Sequence, residues 1–362
     1  MAPIRSRRQD GAMKHTRRAG LATVAAGLLA LAATGCAGTP PIEGSHGDAI
    51  ASRERVTVNG RTQGLVIRGE DRDNPVLLWL AGGPGGSELG WTTSYLGALE
   101  ADVVFVNWDQ PGVGMSWRAA DWDRVTVEDF VTDTIAMSEY LRDRFGTDRI
   151  MLAGHSWGSI IGLKAVAQRP DLYSAYLAVA QQVNVQENDL HGYHMVLEEA
   201  SRRGDERVVE RLAEMGPPPY DREDGGHYVY LFQKVHVYSP HPSPEPSFTS
   251  MLFPREYTLR DSVNALRGLI NGVSTVYPQL VDLDFARSVP RVEVPVFFFT
   301  GRYDETCVQD IAWRYYQQLD APHKEFLWFE RSGHNLPYHE PDRFVREVRT
   351  RVLTHISDRR NS

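Results

Sequence analysis

Ile150-Met151-Leu152-Ala153-Gly154-His155-Ser156-Trp157-Gly158-Ser159-Ile160-Ile161 is the stretch that decides the fold. Its first four residues read as a buried strand, and from Ile160 to Gln168 the pattern turns helical. Between them stands G-x-S-x-G. Glycines flank the serine because a strand-to-helix turn this tight leaves no room for side chains, and the turn lifts the serine oxygen above the sheet edge. The N-terminus of the following helix favours negative charge beneath it. Ser156 is therefore a candidate nucleophile.

Apolar runs and helical patterns alternate on both sides of this turn, which predicts a mostly parallel sheet covered by helices. Val56-Thr57-Val58 and Leu65-Val66-Ile67 read as an antiparallel start. Val76 to Leu80, Val103 to Val106, Ala175 to Val179, Val296 to Phe299 and Phe326 to Phe329 read as further strands. Helices are expected over Thr126–Phe145, Val308–Leu319 and Asp342–Ile356. Between Val179 and Val294 the strand rhythm stops. Leu190–Ala213 and Arg260–Ile270 read as helical, with Pro-rich breaks at 216–219 and 240–246. This block is expected to be a helical cap inserted into the α/β domain.

A serine nucleophile needs a base, and the base needs an orienting acid. Asp304 follows the apolar run Val296–Phe299, and His334 follows Phe326–Phe329. Both stand just past strand ends, where ligand sites of open α/β sheets lie, and in the chain order Ser, acid, His. An oxyanion hole needs two backbone N–H groups. Trp157, next after the serine, is expected to supply one. Gly83, in Ala81-Gly82-Gly83-Pro84-Gly85-Gly86 after the strand ending at Leu80, is expected to supply the other. No Gly-Lys-Ser/Thr follows, so this is not a phosphate-binding loop. Cys307, three residues beyond Asp304, reads as a packing residue.

As a set these segments resemble the proline iminopeptidase family of serine peptidases, with the α/β-hydrolase fold. That family carries a His-Gly-Gly-Pro-Gly loop, matched by Ala81 to Gly85, and an Asp-Gln-Arg-Gly-x-Gly-x-Ser segment, matched by Asp109 to Ser116. Its Gly-x-Ser-Trp-Gly-Ser elbow is matched by Gly154 to Ser159. Gly301-Arg302-Tyr303-Asp304 and Ser332-Gly333-His334 also correspond. Ala81 replaces the family's His and Pro111 its Arg. Because oxyanion donation is by backbone, neither change should abolish hydrolysis.

The resemblance implies an eight-stranded, mostly parallel sheet with helices on both faces, residues 53–182 and 290–362 forming the core and 183–289 the cap. It also implies release of an N-terminal residue, often proline, from small peptides through an acyl-enzyme, with no cofactor and no metal. A carboxylesterase or lactonase acting on a small ester with the same three residues is the rival reading. In the family, cap acids bind the substrate's free amino group. This cap offers Glu187, Asp189, Glu198 and Glu199, of which Glu187 and Glu198 are the expected contacts.

The N-terminus reads as an address. Six basic residues and one acid precede Gly35-Cys36, and Ala19–Thr34 is an uncharged run of 16 residues. That is short of the roughly 20 apolar residues needed to span a bilayer, and fits a secretory signal over residues 1–35. Met13 is a second possible start, and Thr16-Arg17-Arg18 hints at a twin-arginine signal. Ala33-Thr34-Gly35-Cys36 resembles a bacterial lipobox, which would make Cys36 a lipid-bearing first residue. The chain is then expected on the outer face of a bacterial cell membrane, held only by that lipid, or else secreted. Residues 36–52 read as a flexible tether.

The whole chain carries a net charge of −8. Without residues 1–35 it holds 33 basic against 46 acidic residues, a net charge of −13. That balance argues against a nucleic-acid partner.

Overall fold

A computed structural model of the chain describes residues 38–42, 48–241 and 246–360, all within the unit Gly38–Ser362. Residues 1–35, expected to form an export signal, and Cys36, the expected lipid-bearing residue, lie outside the described residues. Eight strands form one sheet: β1 (Ile50–Val58), β2 (Arg61–Gly69), β3 (Val76–Leu80), β4 (Val104–Asp109), β5 (Ile150–His155), β6 (Tyr173–Val179), β7 (Val296–Gly301) and β8 (Lys324–Phe329). Their order is β1-β2-β4-β3-β5-β6-β7-β8. Only β2 runs against its neighbours; β4 to β8 are parallel.

The helices are α1 (Leu89–Tyr95), α2 (Val127–Phe145), α3 (Trp157–Gln168), α4 (Val185–Arg203), α5 (Glu206–Met215), α6 (Gly225–Tyr238), α7 (Phe248–Leu252), α8 (Leu259–Thr275), α9 (Gln309–Gln318), α10 (Pro341–Glu347) and α11 (Thr354–Arg360). Alternate strand residues bury on opposite faces. Leu78, Leu80, Val106, Leu152 and Phe298 join the cluster that holds Phe130 of α2 and Ile161 of α3. Leu77, Trp79, Met151, Phe297 and Phe299 meet Phe344 and the C-terminal residues Val348, Val352 and Ile356. Both faces of the central strands are covered, so they read as unbroken apolar runs rather than alternating ones.

The order reverses at β3: the chain passes from β3 to β4 on one side and then to β5 on the other. The crevice beyond the carboxyl ends of β3 and β5 is the switch point where open α/β sheets place their ligands. Leu80 pairs with Gly154 there, so the glycine loop after β3 and the turn after β5 leave the sheet side by side.

Several expectations shift. Ile50–Ser52, expected in the tether, are the first residues of β1, paired with Ile67 to Gly69. Thr39 and Pro40 also accept hydrogen bonds from Arg68, at 2.6 Å each. The helical stretch Leu190–Ala213 is two helices. Gly204 adopts a left-handed φ of 72° that ends α4, and Asp205 caps α5 through the Val208 N–H. The C-terminal helix is interrupted by a π turn at Val348–Leu353.

Candidate active site

Ser156 has φ 55° and ψ −119°, a left-handed conformation that non-glycine residues rarely adopt. The strain is held from both sides. A Cβ on Gly158 would overlap the Leu80 carbonyl of β3, and one on Gly154 would overlap the Gly158 carbonyl. The two glycines are thus required by backbone approach. Helix α3 starts at Trp157, so the Trp157 N–H is one of the helix's first four, which have no acceptor within the helix. That leaves it available above the serine.

The loop Ala81–Gly86 runs against the turn. A Cβ on Gly82 would stand only 3.4 Å from the Ser156 Cβ. Gly83 follows with φ 139°, outside the range of ordinary side-chain-bearing residues. Gln110 ties loop and turn together: its Nε2 donates to the Ala81 carbonyl at 2.9 Å, and its Oε1 accepts from the Trp157 indole at 2.9 Å. The glycine loop that holds Gly83 is thus tied to the turn that holds Ser156 and Trp157.

Asp304 and His334 come together as well. Asp304 is fully buried, and the His334 Nδ1 lies 3.1 Å from each of its carboxylate oxygens. The Asp304 Oδ1 also accepts the backbone N–H groups of Thr306 and Cys307, at 2.9 and 2.8 Å. The cap contributes here: Asn188 of α4 donates to the Thr306 carbonyl and accepts from the Val308 N–H, both at 2.8 Å. The acid's loop is therefore clamped from above. With Nδ1 donating to the carboxylate, the His334 Nε2 is the nitrogen free to take a proton. Cys307 lies 4.0 Å from the serine oxygen through its Sγ. Burial, and then the Asp304 carboxylate, push its thiol well up, so it is a neutral neighbour rather than a thiolate.

A buried charged pair lies behind these loops, one that the sequence reading did not single out. Glu88 and His155 are both almost fully buried, with the carboxylate 2.6 Å from Nδ1. The same carboxylate accepts the Gly82 N–H at 3.0 Å, the Trp79 indole at 2.7 Å and the Tyr338 hydroxyl at 2.8 Å. The His155 Nε2 lies 3.1 Å from the His334 carbonyl, and the two imidazole rings are 5.0 Å apart. Both ring nitrogens of His155 face acceptors, so it donates twice, as the imidazolium does. Burial opposes its charge, but the Glu88 carboxylate outweighs that and lifts its pKa; His155 in turn holds Glu88 below the usual carboxylate range against burial. The signal that could have found Glu88 was its place just past the glycine loop, four residues before Thr92.

The cap acids separate by environment. Glu187 is surface-exposed and paired with Arg314, and Glu198 is exposed on α4. Glu199 is held by Arg202 and Arg203. Asp189 differs: it is buried, accepts the Tyr277 hydroxyl at 2.8 Å, and has no ion-pair partner among the described residues. Burial raises its carboxyl to about 7, against the lowering effect of its hydrogen bonds to Tyr277 and Asn188. It lies close enough to Cys307 to add to the rise of that thiol. From α6, His236 brings its ring to 6.4 Å from that of His334. Among the described residues no group of three or more His, Cys, Asp or Glu side chains could hold a metal ion.

The sheet thus carries a strained serine at its switch point and an Asp–His pair past the ends of β7 and β8. The model of the alpha/beta hydrolase family matches residues 76–347, and the chain belongs to that family. A probable aminopeptidase of Bacillus subtilis, YbaC, is 31% identical over 312 residues, which cover 85% of this chain and 98% of that one. The proline iminopeptidase of Saccharolobus solfataricus is 23% identical over 287 residues, 78% of this chain and 85% of its own. Among solved structures, the proline iminopeptidase of Mycobacterium smegmatis aligns with a TM-score of 0.62 at 17% identity, covering 85% of this chain and 99% of that one.

Proposed function

We propose that the chain is a serine exopeptidase that releases an N-terminal proline or another small residue from peptides through an acyl-enzyme. The observation that carries the reaction type is the strained Ser156 at the head of α3, linked to the His334–Asp304 pair through Cys307, which lies 4.0 Å from its oxygen and donates its N–H to Asp304. Ser156 attacks the scissile carbonyl while His334 Nε2 takes its proton. Asp304 holds the imidazole in the tautomer that can do so and balances the charge it gains. The N–H groups of Gly83 and Trp157 hold the oxyanion. His334 then protonates the leaving amine, and water, activated by the same histidine, releases the acyl group.

Aminopeptidase specificity is supported by the relatives named above and by Asp189. A buried carboxylate without a cation, in the cap and near the serine's neighbour Cys307, is suited to receive the α-ammonium of a substrate. That contact would restore the charge that burial suppresses. Glu187 and Glu198, on the exterior, are less suited. The test is a panel of aminoacyl-arylamides with free and acetylated amines. Free-amine substrates should be cleaved at least about 100-fold better, as expected where a buried charge must be matched. Asp189→Asn should lower kcat/KM for the free amines only. Equal cleavage of blocked substrates, or a preference for simple esters, would move the assignment to the esterase or lactonase reading.

We also propose that residues 1–35 direct export and that Cys36 carries a lipid, on the motif Ala33-Thr34-Gly35-Cys36. Incorporation of labelled palmitate that is lost in Cys36→Ser tests this.

A further inference from the structure

All seven large apolar side chains that stand exposed among the described residues fall between Val237 and Ile270, in the cap. Four of them, Leu259, Val263, Leu266 and Ile270, recur at spacings of four, three and four along α8 and so form one face of it. The opposite face is small: Ala265, Gly268 and Gly272 are buried, and a Cβ on Gly85 of the glycine loop would overlap the Gly268 carbonyl. Helix α8 is therefore seated on the core by its small residues and turns its apolar face outward. Phe248 and Phe253, at either end of α7, are 52% and 58% exposed.

Among the described residues 246–281 the exposed charges are of one sign. Between residues 246 and 281 the acids Glu256 and Asp261 are buried, whereas Arg255, Arg260 and Arg267 are exposed. Among the described residues none of these three, nor Arg118 beside them, is in an ion pair. Arg118, Arg260 and Arg267 line a groove of about 470 Å³ against α8, with Leu259, Val263 and Trp117. Arg267 stands over the Trp117 ring at 6.0 Å. In a chain of net charge −8, an apolar stripe flanked, among the described residues that line its groove, by unpaired guanidinium groups and a tryptophan has the composition of a helix that lies in a membrane interface.

The first strand is tied to this helix. Arg53, three residues into β1, donates to Asp261 at 2.9 Å and to the Glu256 carbonyl at 2.7 Å.

We propose that the outer face of α8, with α7 and the Trp117 groove, is a docking surface for an anionic phospholipid bilayer. The apolar side chains enter the acyl boundary and the arginines meet headgroup phosphates. This inference is independent of the reaction at Ser156.

The test uses the full-length chain with Cys36→Ser, so that no acyl chain contributes. Co-sedimentation is measured with vesicles of phosphatidylglycerol and phosphatidylethanolamine, and with phosphatidylcholine alone. The parent should bind the anionic vesicles, and bind them less as salt rises. Leu259→Gln/Ile270→Gln and Arg260→Glu/Arg267→Glu should each lose at least tenfold in partitioning. As surface changes, both variants should keep their thermal midpoint. If either fails to fold, brominated phosphatidylglycerol provides the second readout: it should quench tryptophan fluorescence in the parent and much less in Trp117→Phe. Unchanged binding in both variants, equal binding to phosphatidylcholine, or quenching that Trp117→Phe leaves intact overturns the proposal. So does a dimer in sedimentation velocity that Leu259→Gln/Ile270→Gln dissolves, because the face would then belong to a second copy.

Discussion

The His155 imidazole bridges the Glu88 carboxylate, 2.6 Å from its Nδ1, and the His334 carbonyl, 3.1 Å from its Nε2. One buried ion pair thereby connects the residue before the serine to the residue proposed as its base. Through the Gly82 N–H it connects both to the glycine loop after β3. Glu88→Gln keeps the shape but removes the charge, and turns an NH2 toward groups that are themselves donors. We expect kcat to fall by about 10- to 100-fold with KM changed less than about twofold, the scale of a sub-ångström misplacement of reacting groups. The thermal midpoint should fall too, because His155 is left buried without its counter-charge. Glu88→Gln/His155→Gln should recover part of that midpoint and none of the kcat. Recovery of both would reduce the pair to a stability element.

Gly158 is required by contact rather than by flexibility. Gly158→Ala drives a methyl into the Leu80 carbonyl, which belongs to the sheet and cannot move without disturbing β3. A cost of about 3–5 kcal/mol is expected. Gly146→Ala is the control: its φ is 60° but the space around it is open, so only the backbone preference of about 1 kcal/mol is lost. Denaturant midpoints of the two variants check the difference, and equal losses would contradict it.

Acidity should be visible in stability. The Asp189 carboxyl ionises near its ordinary 3.8 in the unfolded chain and at about 7 in the fold. Between those values the folded state holds a proton that the unfolded state has released. The stabilising contribution is therefore complete below about pH 4 and lost as pH rises through about 7. Asp109, raised to about 6 by burial, acts in the same direction. Glu88, held low, acts oppositely and loses its contribution on acidification. The thermal midpoint of Asp189→Asn should therefore fall less than that of the parent between pH 5 and pH 7.5, by about 2–5 °C. Parallel curves would contradict the assignment.

The parts of this protein legible in its sequence are those where one local pattern carries the whole meaning. The turn at Gly154–Gly158 could be read because backbone crowding dictates its glycines. The buried strands could be read because both faces of a parallel sheet demand apolar residues. Asp304 and His334 could be read because strand ends order them along the chain. Glu88 could not, since its partners Trp79, Gly82, His155 and Tyr338 are scattered over 260 positions and meet only after the sheet has closed. Among the cap acids, Glu187 and Asp189 are two residues apart and look alike in one dimension. Their difference is which side of α4 faces the core, and that is set by tertiary packing. The outward apolar face of α8 was equally hidden: its periodicity marks an amphipathic helix, and the usual inference would turn that face inward.

Ser156, in the proposed reaction, is an activated nucleophile served by His334 and Asp304. Labelling by a fluorophosphonate probe tests it most directly, because only an activated serine reacts. Stoichiometric labelling is expected at Ser156, absent in Ser156→Ala and slowed by at least about 1,000-fold in His334→Ala, with the fold of both variants intact by circular dichroism. Absence of labelling in the parent, or labelling that persists in Ser156→Ala, would contradict it.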